Sequence, residues 1–278
     1  MSDGSAMVAV NDGVRLHYET HGSGRPLVLI GGWRMSTPWW RKQVSVLGQQ
    51  FQVIALDMRG YGESDKSAHG NRVARHAKDV YDVLDQLDLD KVTLVGWSMG
   101  ASTMMAYAEL FGAHRIKSFV MVDQTPRILS DADWQLGLGT GVFPRDQLDG
   151  FLAGILKDDT AFLRGFLPSM FTPTNAANLT QDELAWMLEA VQQMPTAHAV
   201  AVLDDHISQD WRPVLPTIKV PTLVITGRLS TVFPYQSSLY VAEQIPDARV
   251  VVFEESAHLP FYEEPERFNS EVAAFAAE

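Results

Sequence analysis

The sequence predicts an α/β protein whose central sheet has about eight mostly parallel strands, with helices on both faces and an inserted helical cap. Three observations support this prediction. Short runs rich in β-branched residues recur along the chain, the early runs alternate apolar with polar residues, and the later runs are continuously apolar and separated by helical patterns. Alternation is typical of strands with one solvated face, and continuous apolar runs are typical of parallel strands covered on both faces.

Each predicted strand rests on one such run. In chain order the runs are AMVAV, VRLHYE, PLVLI, QVIAL, KVTLVG, KSFVMV, PTLVIT and RVVVF. A helix is predicted over 71–89, where apolar residues recur at helical spacing. Asp79, Asp82 and Asp85 are expected on the opposite side of this helix, away from its apolar face.

The alternation of strands and helices stops after the sixth run. About 85 residues there carry helical patterns and no convincing strand. We therefore predict a core domain formed by 1–126 and 212–278, with a helical cap, 127–211, inserted after the strand that ends at Asp123. Most large apolar side chains of the cap are expected to pack internally or on the core. Some are expected to line an apolar cleft, because pockets favour domain junctions.

Composition narrows the function classes. The 278 residues carry 22 Lys and Arg against 34 Asp and Glu, a net charge of −12 that argues against nucleic-acid binding. The absence of cysteine excludes disulfides, thiolate metal sites and a cysteine nucleophile. The N-terminal stretch lacks a basic start, and no apolar run reaches the roughly 18 residues of a membrane helix, so we expect a soluble cytoplasmic protein without membrane contact. The oligomeric state stays open.

No cofactor or metal is expected. His198 and His206 flank AVAVLDD in the predicted cap, where Asp204 or Asp205 could join them as metal ligands. Neither histidine belongs to the closely spaced ligand pattern of a known metal motif, so a metal site is the less favoured interpretation.

The strongest chemical signal is KVTLVGWSMGAS, in which a β-branched strand is followed by Gly-x-Ser-x-Gly and then by a helical pattern. A serine held on a sharp turn between strand and helix has a strained backbone. The residues two before and two after it must therefore be small, and here they are Gly96 and Gly100. This context predicts that Ser98 presents its hydroxyl at the positive end of a helix dipole, as a nucleophile.

A serine hydroxyl is a weak nucleophile at neutral pH and needs a general base. Among the eight histidines, only His258 follows a late apolar strand closely, in RVVVFEESAHLPFYEEPERF. A loop at the carboxyl edge of the sheet could bring it to Ser98. His258 is therefore the candidate base.

These motifs resemble those of the α/β-hydrolase superfamily, and the resemblance covers nearly all of the chain. It is carried by VRLHYETHGSGRPLVLIGG, VIALDMRGYGESD, VGWSMG and SAHLPFYEEPERF. Within the superfamily, the chain is most similar to capped esterases related to aryl esterases and cofactor-free haloperoxidases. The resemblance implies the α/β-hydrolase fold, with Ser98 as the nucleophile and His258 as the proton shuttle.

The same resemblance implies an oxyanion hole formed by the backbone N–H groups of Trp33 and Met99. Family members usually carry His-Gly-x after the strand that corresponds to PLVLI, whereas this chain has a glycine, Gly31, in place of the histidine. This departure leaves both donors in place. The side chains expected to line the substrate pocket are Trp33, Trp97, Trp134, Phe143, Phe166 and Leu259.

The resemblance also implies an acidic residue that orients the histidine, and the position of this acid departs from the usual family pattern. Most relatives carry it in Gly-x-x-Asp after the penultimate strand, where this chain has GRLS, with Ser230 at the acid position. Some members place the acid after the strand that follows the nucleophile helix, and that strand ends here at Asp123. Asp123 is therefore the candidate acid. The alternative is that Asp123 accepts backbone N–H bonds in the turn before Pro126.

Together these features predict a serine hydrolase that cleaves a small apolar or aromatic carboxylic ester through an acyl-enzyme. Two other classes stay open. One is a non-hydrolytic enzyme on the same fold, such as a cofactor-free oxygenase, a C–C bond lyase or hydrolase, or a haloperoxidase that forms peracids. The other is a ligand-binding receptor with vestigial turnover. The substrate itself is not predicted, because fold does not fix function.

Overall fold

The computed structural model describes residues 4–139 and 143–278; residues 1–3 and 140–142, which belong to the predicted core and cap ranges, lie outside the described residues. Eight strands occur in the described part of the chain. They are β1 (Gly4–Ala9), β2 (Arg15–His21), β3 (Arg25–Ile30), β4 (Phe51–Leu56), β5 (Val92–Trp97), β6 (Ile116–Val122), β7 (Thr222–Gly227) and β8 (Ala248–Phe253).

The strands form one sheet in the order β1-β2-β4-β3-β5-β6-β7-β8. Strand β2 runs antiparallel to both β1 and β4, and every other neighbouring pair is parallel. The prediction of a mostly parallel α/β sheet is confirmed. The continuously apolar runs form the central strands, and β5 is buried along its whole length.

Helices surround the sheet and fill the segment between β6 and β7. They are α1 (Val44–Leu47), α2 (Val73–Gln86), α3 (Met99–Phe111), α4 (Arg145–Lys157), α5 (Asp159–Ser169), α6 (Pro173–Asn178), α7 (Gln181–Gln192), α8 (Thr196–Ser208), α9 (Tyr235–Gln244), α10 (Pro260–Glu263) and α11 (Pro265–Ala277). Helix α2 packs on α3, and α1 packs on α11. Helices α4 to α8 occupy the range for which a cap is predicted, and its division from the core stays a prediction. None of the described helices is long and apolar enough to cross a membrane.

Helix α2 contradicts one prediction made from its helical pattern. Asp79 and Asp82 are buried, at 0% and 8% exposure, although both were expected away from the apolar face. Asp79 is paired with the buried guanidinium of Arg59, whose Nε and Nη2 donate to its two oxygens over 2.9 and 2.8 Å. A carboxylate can be buried when it is paired in this way. The pairing partner Arg59 lies outside α2, so the pattern of α2 alone could not predict the pair.

The register of the parallel strands determines which residues meet at their carboxyl ends. Trp97 of β5 pairs with Val122 of β6, so the next residues, Ser98 and Asp123, leave the sheet side by side. The N–H of Ser98 donates to the Val122 carbonyl over 2.9 Å, and the N–H of Asp123 donates to the Ile225 carbonyl over 2.8 Å. Carboxyl ends of neighbouring parallel strands are where α/β proteins build their sites.

Candidate active site

The nucleophile candidate lies on a strained turn. Ser98 joins β5 to α3 with φ 53° and ψ −124°, a conformation that non-glycine residues rarely adopt. The residues two before and two after Ser98 must be glycine, since an added Cβ at Gly96 would lie 2.6 Å from the Gly100 carbonyl oxygen, and one at Gly100 would lie 2.5 Å from the Ile30 carbonyl oxygen. The turn therefore has the geometry of the predicted nucleophile elbow, with Ser98 at the start of a helix.

The structure brings His258 and Asp123 together. His258 Nδ1 lies 2.5 Å from Asp123 Oδ2, and both side chains are almost fully buried. The imidazole contacts the rings of Trp97 and Phe233, whose centroids lie 5.3 and 5.6 Å away. The Trp97 Nε1–H donates to the His258 carbonyl over 2.9 Å, which ties this loop to the elbow. With Nδ1 bonded to a carboxylate, Nε2 is the ring nitrogen left to exchange a proton.

Two hydroxyl groups complete the surroundings of the Asp123 carboxylate. The Thr226 Oγ1–H donates to Oδ1 over 2.7 Å, and the Ser230 Oγ–H donates to Oδ2 over 2.7 Å. Ser230 therefore shares the same carboxylate oxygen with His258, and it contributes a hydrogen bond at the position where the family resemblance would place the acid. These bonds come from side chains, not from the backbone N–H groups that the turn alternative required.

The two predicted oxyanion donors lie on different elements, Trp33 in the loop after β3 and Met99 on α3. An added Cβ at Gly32 would lie 3.1 Å from the Ser98 Cβ, so this backbone packs directly against the nucleophile. An added Cβ at Gly31 would lie 2.3 Å from the Met35 carbonyl oxygen, so the backbone of this loop leaves no room for a side chain at this position. Met99 is the first residue of α3, so its N–H has no acceptor within the helix.

Side chains of this loop anchor it to the helices between β6 and β7. The Trp33 Nε1–H donates to the Ala199 carbonyl over 2.8 Å. The guanidinium of Arg34 is buried, at 1% exposure; it forms a bidentate pair with Asp159, at 2.7 and 3.0 Å, and donates to the Val191 carbonyl over 2.7 Å. Bidentate arginine–carboxylate pairs have a well-defined geometry. The contacts of Trp33 and Arg34 therefore fix the position of the predicted oxyanion loop relative to these helices.

An apolar cavity of about 60 Å³ lies over Ser98. Its walls are Trp33, Ser98, Ile128, Leu138, Phe151, Phe162, Phe166, Leu203, His206, Ile207, Val232 and Phe233. Larger grooves lie elsewhere on the surface, such as one of about 680 Å³ between α5 and α7, but Ser98 does not line it. Because a substrate must reach the candidate nucleophile Ser98, the small cavity is the candidate substrate site.

Two of the six predicted pocket residues line the cavity, and the other four do not. Trp33 and Phe166 line the cavity, whereas Phe143 packs edge-on against Phe151 at 5.5 Å. Trp97 is buried beside His258. Leu259 is also fully buried, and neither residue is part of the cavity wall.

Trp134 lies away from the cavity. Its ring is edge-on to Tyr240 at 5.0 Å and below the guanidinium of Arg212, and its Nε1–H donates to the Arg127 carbonyl over 2.8 Å. A tryptophan whose N–H is bonded and whose ring contacts Tyr240 and Arg212 serves packing, and nothing in the sequence around it indicated these partners.

Sequence reasoning missed several cavity residues. Phe162 is four residues before Phe166 on α5, and their rings stack with centroids 5.7 Å apart. That spacing places both on one helical face and was a signal that could have identified the pair. Phe151, Phe233 and His206 gave no comparable local signal, because their positions depend on how separate segments pack.

His206 does not form the metal site considered from the sequence. Its Nε2 lies 2.9 Å from the Ser102 Oγ, while Asp205 accepts the backbone N–H of Val73 over 2.9 Å. Within residues 4–139 and 143–278, no three His, Asp or Glu side chains cluster as metal ligands would. The environments of the two histidines therefore differ, since His258 is bonded to a carboxylate and His206 to a hydroxyl.

A hydrogen-bonded serine–histidine–aspartate chain lies elsewhere in the structure. His17 Nδ1 lies 2.9 Å from Asp57 Oδ2, and the Ser5 Oγ lies 2.9 Å from His17 Nε2. Ser5 is an exposed residue of β1 in regular pairing with β2, with no helix starting after it. It provides an internal control for the site around Ser98.

Comparisons with known proteins identify relatives of this chain. A model of the alpha/beta hydrolase fold matches residues 25–265. The chain is 29% identical to a pimeloyl-[acyl-carrier protein] methyl ester esterase from Vibrio campbellii, over 94% of this chain and 98% of the relative. It is 30% identical to the non-heme chloroperoxidase CPO-A1 from Kitasatospora aureofaciens, over 89% of this chain and 90% of the relative.

A solved structure extends the similarity to the whole fold. An esterase from Exiguobacterium antarcticum superimposes with a TM-score of 0.90 at 26% identity, covering 98% of this chain and 99% of the esterase. The family match spans most of the chain, including the elbow, the His258 loop and the strand end at Asp123. This chain belongs to the alpha/beta hydrolase fold family.

Proposed function

We propose that this protein is a serine hydrolase that cleaves small, largely apolar or aromatic carboxylic esters through an acyl-enzyme on Ser98. The observation that carries the proposal is the position of Ser98, which lies on a strained elbow in the wall of an apolar cavity. The buried pair of His258 and Asp123 lies beside the preceding residue, Trp97. Nucleophile, base and orienting acid are the parts that acyl transfer requires.

In the proposed mechanism, the Ser98 hydroxyl attacks the ester carbonyl while His258 Nε2 accepts its proton. Asp123 holds Nδ1 and stabilises the imidazolium that forms. The backbone N–H groups of Trp33 and Met99 donate to the oxyanion. His258 then protonates the departing alcohol, and a water molecule, deprotonated by the same histidine, releases the carboxylic acid and regenerates Ser98.

The walls of the cavity support the choice of substrate. Apart from Ser98 and His206, every lining side chain is apolar or aromatic. Such walls bind apolar groups by removing their surface from water, and they offer no charged partner to an ionised substrate. In this proposal the segment 127–211 acts as a cap that supplies most of the walls, and the cytoplasmic location expected from the sequence stays a prediction.

The test is hydrolysis of p-nitrophenyl butyrate by Ser98→Ala. We expect kcat to fall by at least ~10³, because the nucleophile is removed and only binding and oxyanion contacts remain. Ser5→Ala is the matched control, since it removes a serine that also bonds a histidine, and it should leave kcat within about twofold of wild type. Retention of activity in Ser98→Ala, with an unchanged melting temperature, would refute the proposal.

The similarity to a non-heme chloroperoxidase favours one second candidate. The same acyl-enzyme attacked by hydrogen peroxide instead of water would give a peracid and free Ser98, with no cofactor needed to balance the step. Peracid formed on adding peroxide to ester and enzyme, at a rate above ester hydrolysis, would support this activity over simple hydrolysis. Peracid formation would still depend on Ser98, so the two candidates share the site and differ in the second nucleophile.

A further inference from the structure

We propose that His206 determines substrate specificity by donating a hydrogen bond from Nδ1 to a second, uncharged oxygen, a ketone or ether oxygen, in the acyl part of the ester. This inference rests on the function proposed above. It goes beyond that function by assigning a polar recognition point to a cavity whose other walls, apart from Ser98, are apolar or aromatic.

The position of His206 follows from helix α3. Ser102 lies four residues after Ser98, and residues four apart lie one above the other on a helix. The Ser102 Oγ lies 2.9 Å from His206 Nε2, which holds the ring one turn along α3 from the nucleophile. His206 is 4% exposed and is part of the wall of the cavity that contains Ser98.

The neighbours of Nε2 indicate where the proton of His206 lies. The Gln124 side-chain amide donates to the Thr125 carbonyl over 2.8 Å, which fixes its nitrogen end, and the same nitrogen lies 3.5 Å from His206 Nε2. An amide nitrogen can only donate, and the Ser102 hydroxyl is free to donate as well. Nε2 is therefore the acceptor, and Nδ1 carries the hydrogen.

The Nδ1–H of His206 lacks a partner in the described part of the protein, although it is buried. A buried donor without an acceptor is unfavourable, so an oxygen that a ligand brings there gains a hydrogen bond that the free protein lacks. Burial also lowers the pKa of His206 to about 3, so the ring is neutral at physiological pH. A neutral donor among apolar walls suits an uncharged oxygen better than a carboxylate.

The acyl part of the substrate is the part that reaches His206. The departing alcohol must leave beside His258, which protonates it, but His258 is not part of the cavity wall, whereas Ser98 and His206 are. The group that occupies the cavity is therefore the one that stays on Ser98 in the acyl-enzyme. The inferred substrates are esters of short oxo- or alkoxy-carboxylic acids.

The experiment compares p-nitrophenyl 4-oxopentanoate and 5-oxohexanoate with p-nitrophenyl pentanoate and hexanoate. The measured quantity is the ratio of kcat/KM for the oxo ester to that for the matched alkyl ester. We expect wild type to favour at least one oxo ester, and His206→Phe to lower that ratio by about 10- to 100-fold, because the donor is lost while the ring volume is kept. His198→Phe makes the same change on the same helix outside the cavity and should leave the ratio unchanged.

Two further variants keep the test valid if His206→Phe does not fold. His206→Asn keeps an amide donor near the position of Nδ1 and should retain most of the preference for the oxo ester. Ser102→Ala frees Nε2 to take the proton and should lower the ratio, with the fold checked by its melting temperature. Equal ratios in wild type, His206→Phe and Ser102→Ala, with hydrolysis still abolished by Ser98→Ala, would overturn the role of His206 alone. Hydrolysis that survives Ser98→Ala would instead overturn the function on which it rests.

Discussion

The site around Ser98 and the chain formed by Ser5, His17 and Asp57 contain the same three residue types, and in each the histidine is hydrogen-bonded to the aspartate. His258 Nδ1 lies 2.5 Å from its carboxylate, and His17 Nδ1 lies 2.9 Å from Asp57. Both histidines are buried. A search for a serine, a histidine and an aspartate within hydrogen-bond reach would therefore find the second arrangement at least as readily as the first.

The two regions differ in what surrounds the serine. Ser98 has a positive φ, starts a helix, packs against the backbone of Gly32 and lines a cavity. Ser5 lies in a regular edge strand, where the residue opposite it is Glu19. The carboxylates differ too, since Asp57 also accepts the backbone N–H groups of Thr37 and Glu63. In the proposed function, the elbow, the predicted oxyanion donors and the cavity, and not a hydrogen-bonded chain, distinguish Ser98 from Ser5.

The largest effect that separates the two regions is expected from their aspartates. Asp123→Asn should lower kcat for p-nitrophenyl butyrate by ~10⁴, because an amide no longer holds His258 in the tautomer that accepts the serine proton. Asp57→Asn is the matched change in the other pair. It should lower the melting temperature, since Asp57 holds two backbone N–H groups, while kcat stays within about tenfold of wild type. Similar losses of kcat in both variants would contradict the assignment of the acid to Asp123.

A smaller effect is expected from moving the acid to the neighbouring strand end. The Ser230 Oγ lies 2.7 Å from the Asp123 oxygen that contacts His258, so a carboxylate at 230 is close enough to replace that contact. In the Asp123→Asn background, Ser230→Asp should recover about 10- to 100-fold in kcat, because charge returns to the side of Nδ1. Ser230→Asn in the same background adds similar volume without charge and should recover nothing. Equal recovery by both would mean that volume, not charge, was restored.

Much of the fold and of the candidate site could be predicted from the sequence, wherever a feature depends on a short pattern of residues. The eight strands, the elbow and the loop of His258 each depend on a short pattern of residues, and all eight strands form where the runs predict them. Asp123 required a further step, because only the order of strands along the chain indicates that its strand end lies beside that of Ser98. Its position next to Ser230 follows from that order and from no local pattern.

What the sequence did not predict depends on contacts between distant segments. The Thr226 bond to Asp123 joins residues 103 positions apart, and the Arg34 pair with Asp159 joins residues 125 positions apart. The burial of Asp79 was predicted wrongly for the same reason, since its partner Arg59 lies outside the helix. Periodicity reports which face of an element is apolar, and it carries no information about which remote charge will satisfy a polar group on that element.

The smallest effect concerns the titration of the second histidine. The hydrogen bond with Asp57 raises the pKa of His17 above its ordinary value of 6.5. The folded state therefore binds a proton more tightly than the unfolded chain, and the resulting stability is fully present below pH 6.5 and is lost as pH rises through the folded pKa. In wild type, this histidine should make the free energy of unfolding fall between pH 6.5 and the folded pKa.

His17→Asn tests this dependence, because asparagine keeps a donor for Asp57 but has no proton to lose in this range. Urea unfolding at several pH values from 6 to 9 should give a shallower decline in the variant than in wild type. Burial lowers the pKa of His206 and of His76 to about 3 in the folded state, and both contribute equally to wild type and variant, so the difference between the two slopes reports His17. Hydrolysis should change little, since the Ser5 arrangement lacks an elbow and a cavity. A variant that kept the wild-type slope, or lost activity as Asp123→Asn is expected to, would show that the two regions are more alike in function than their surroundings indicate.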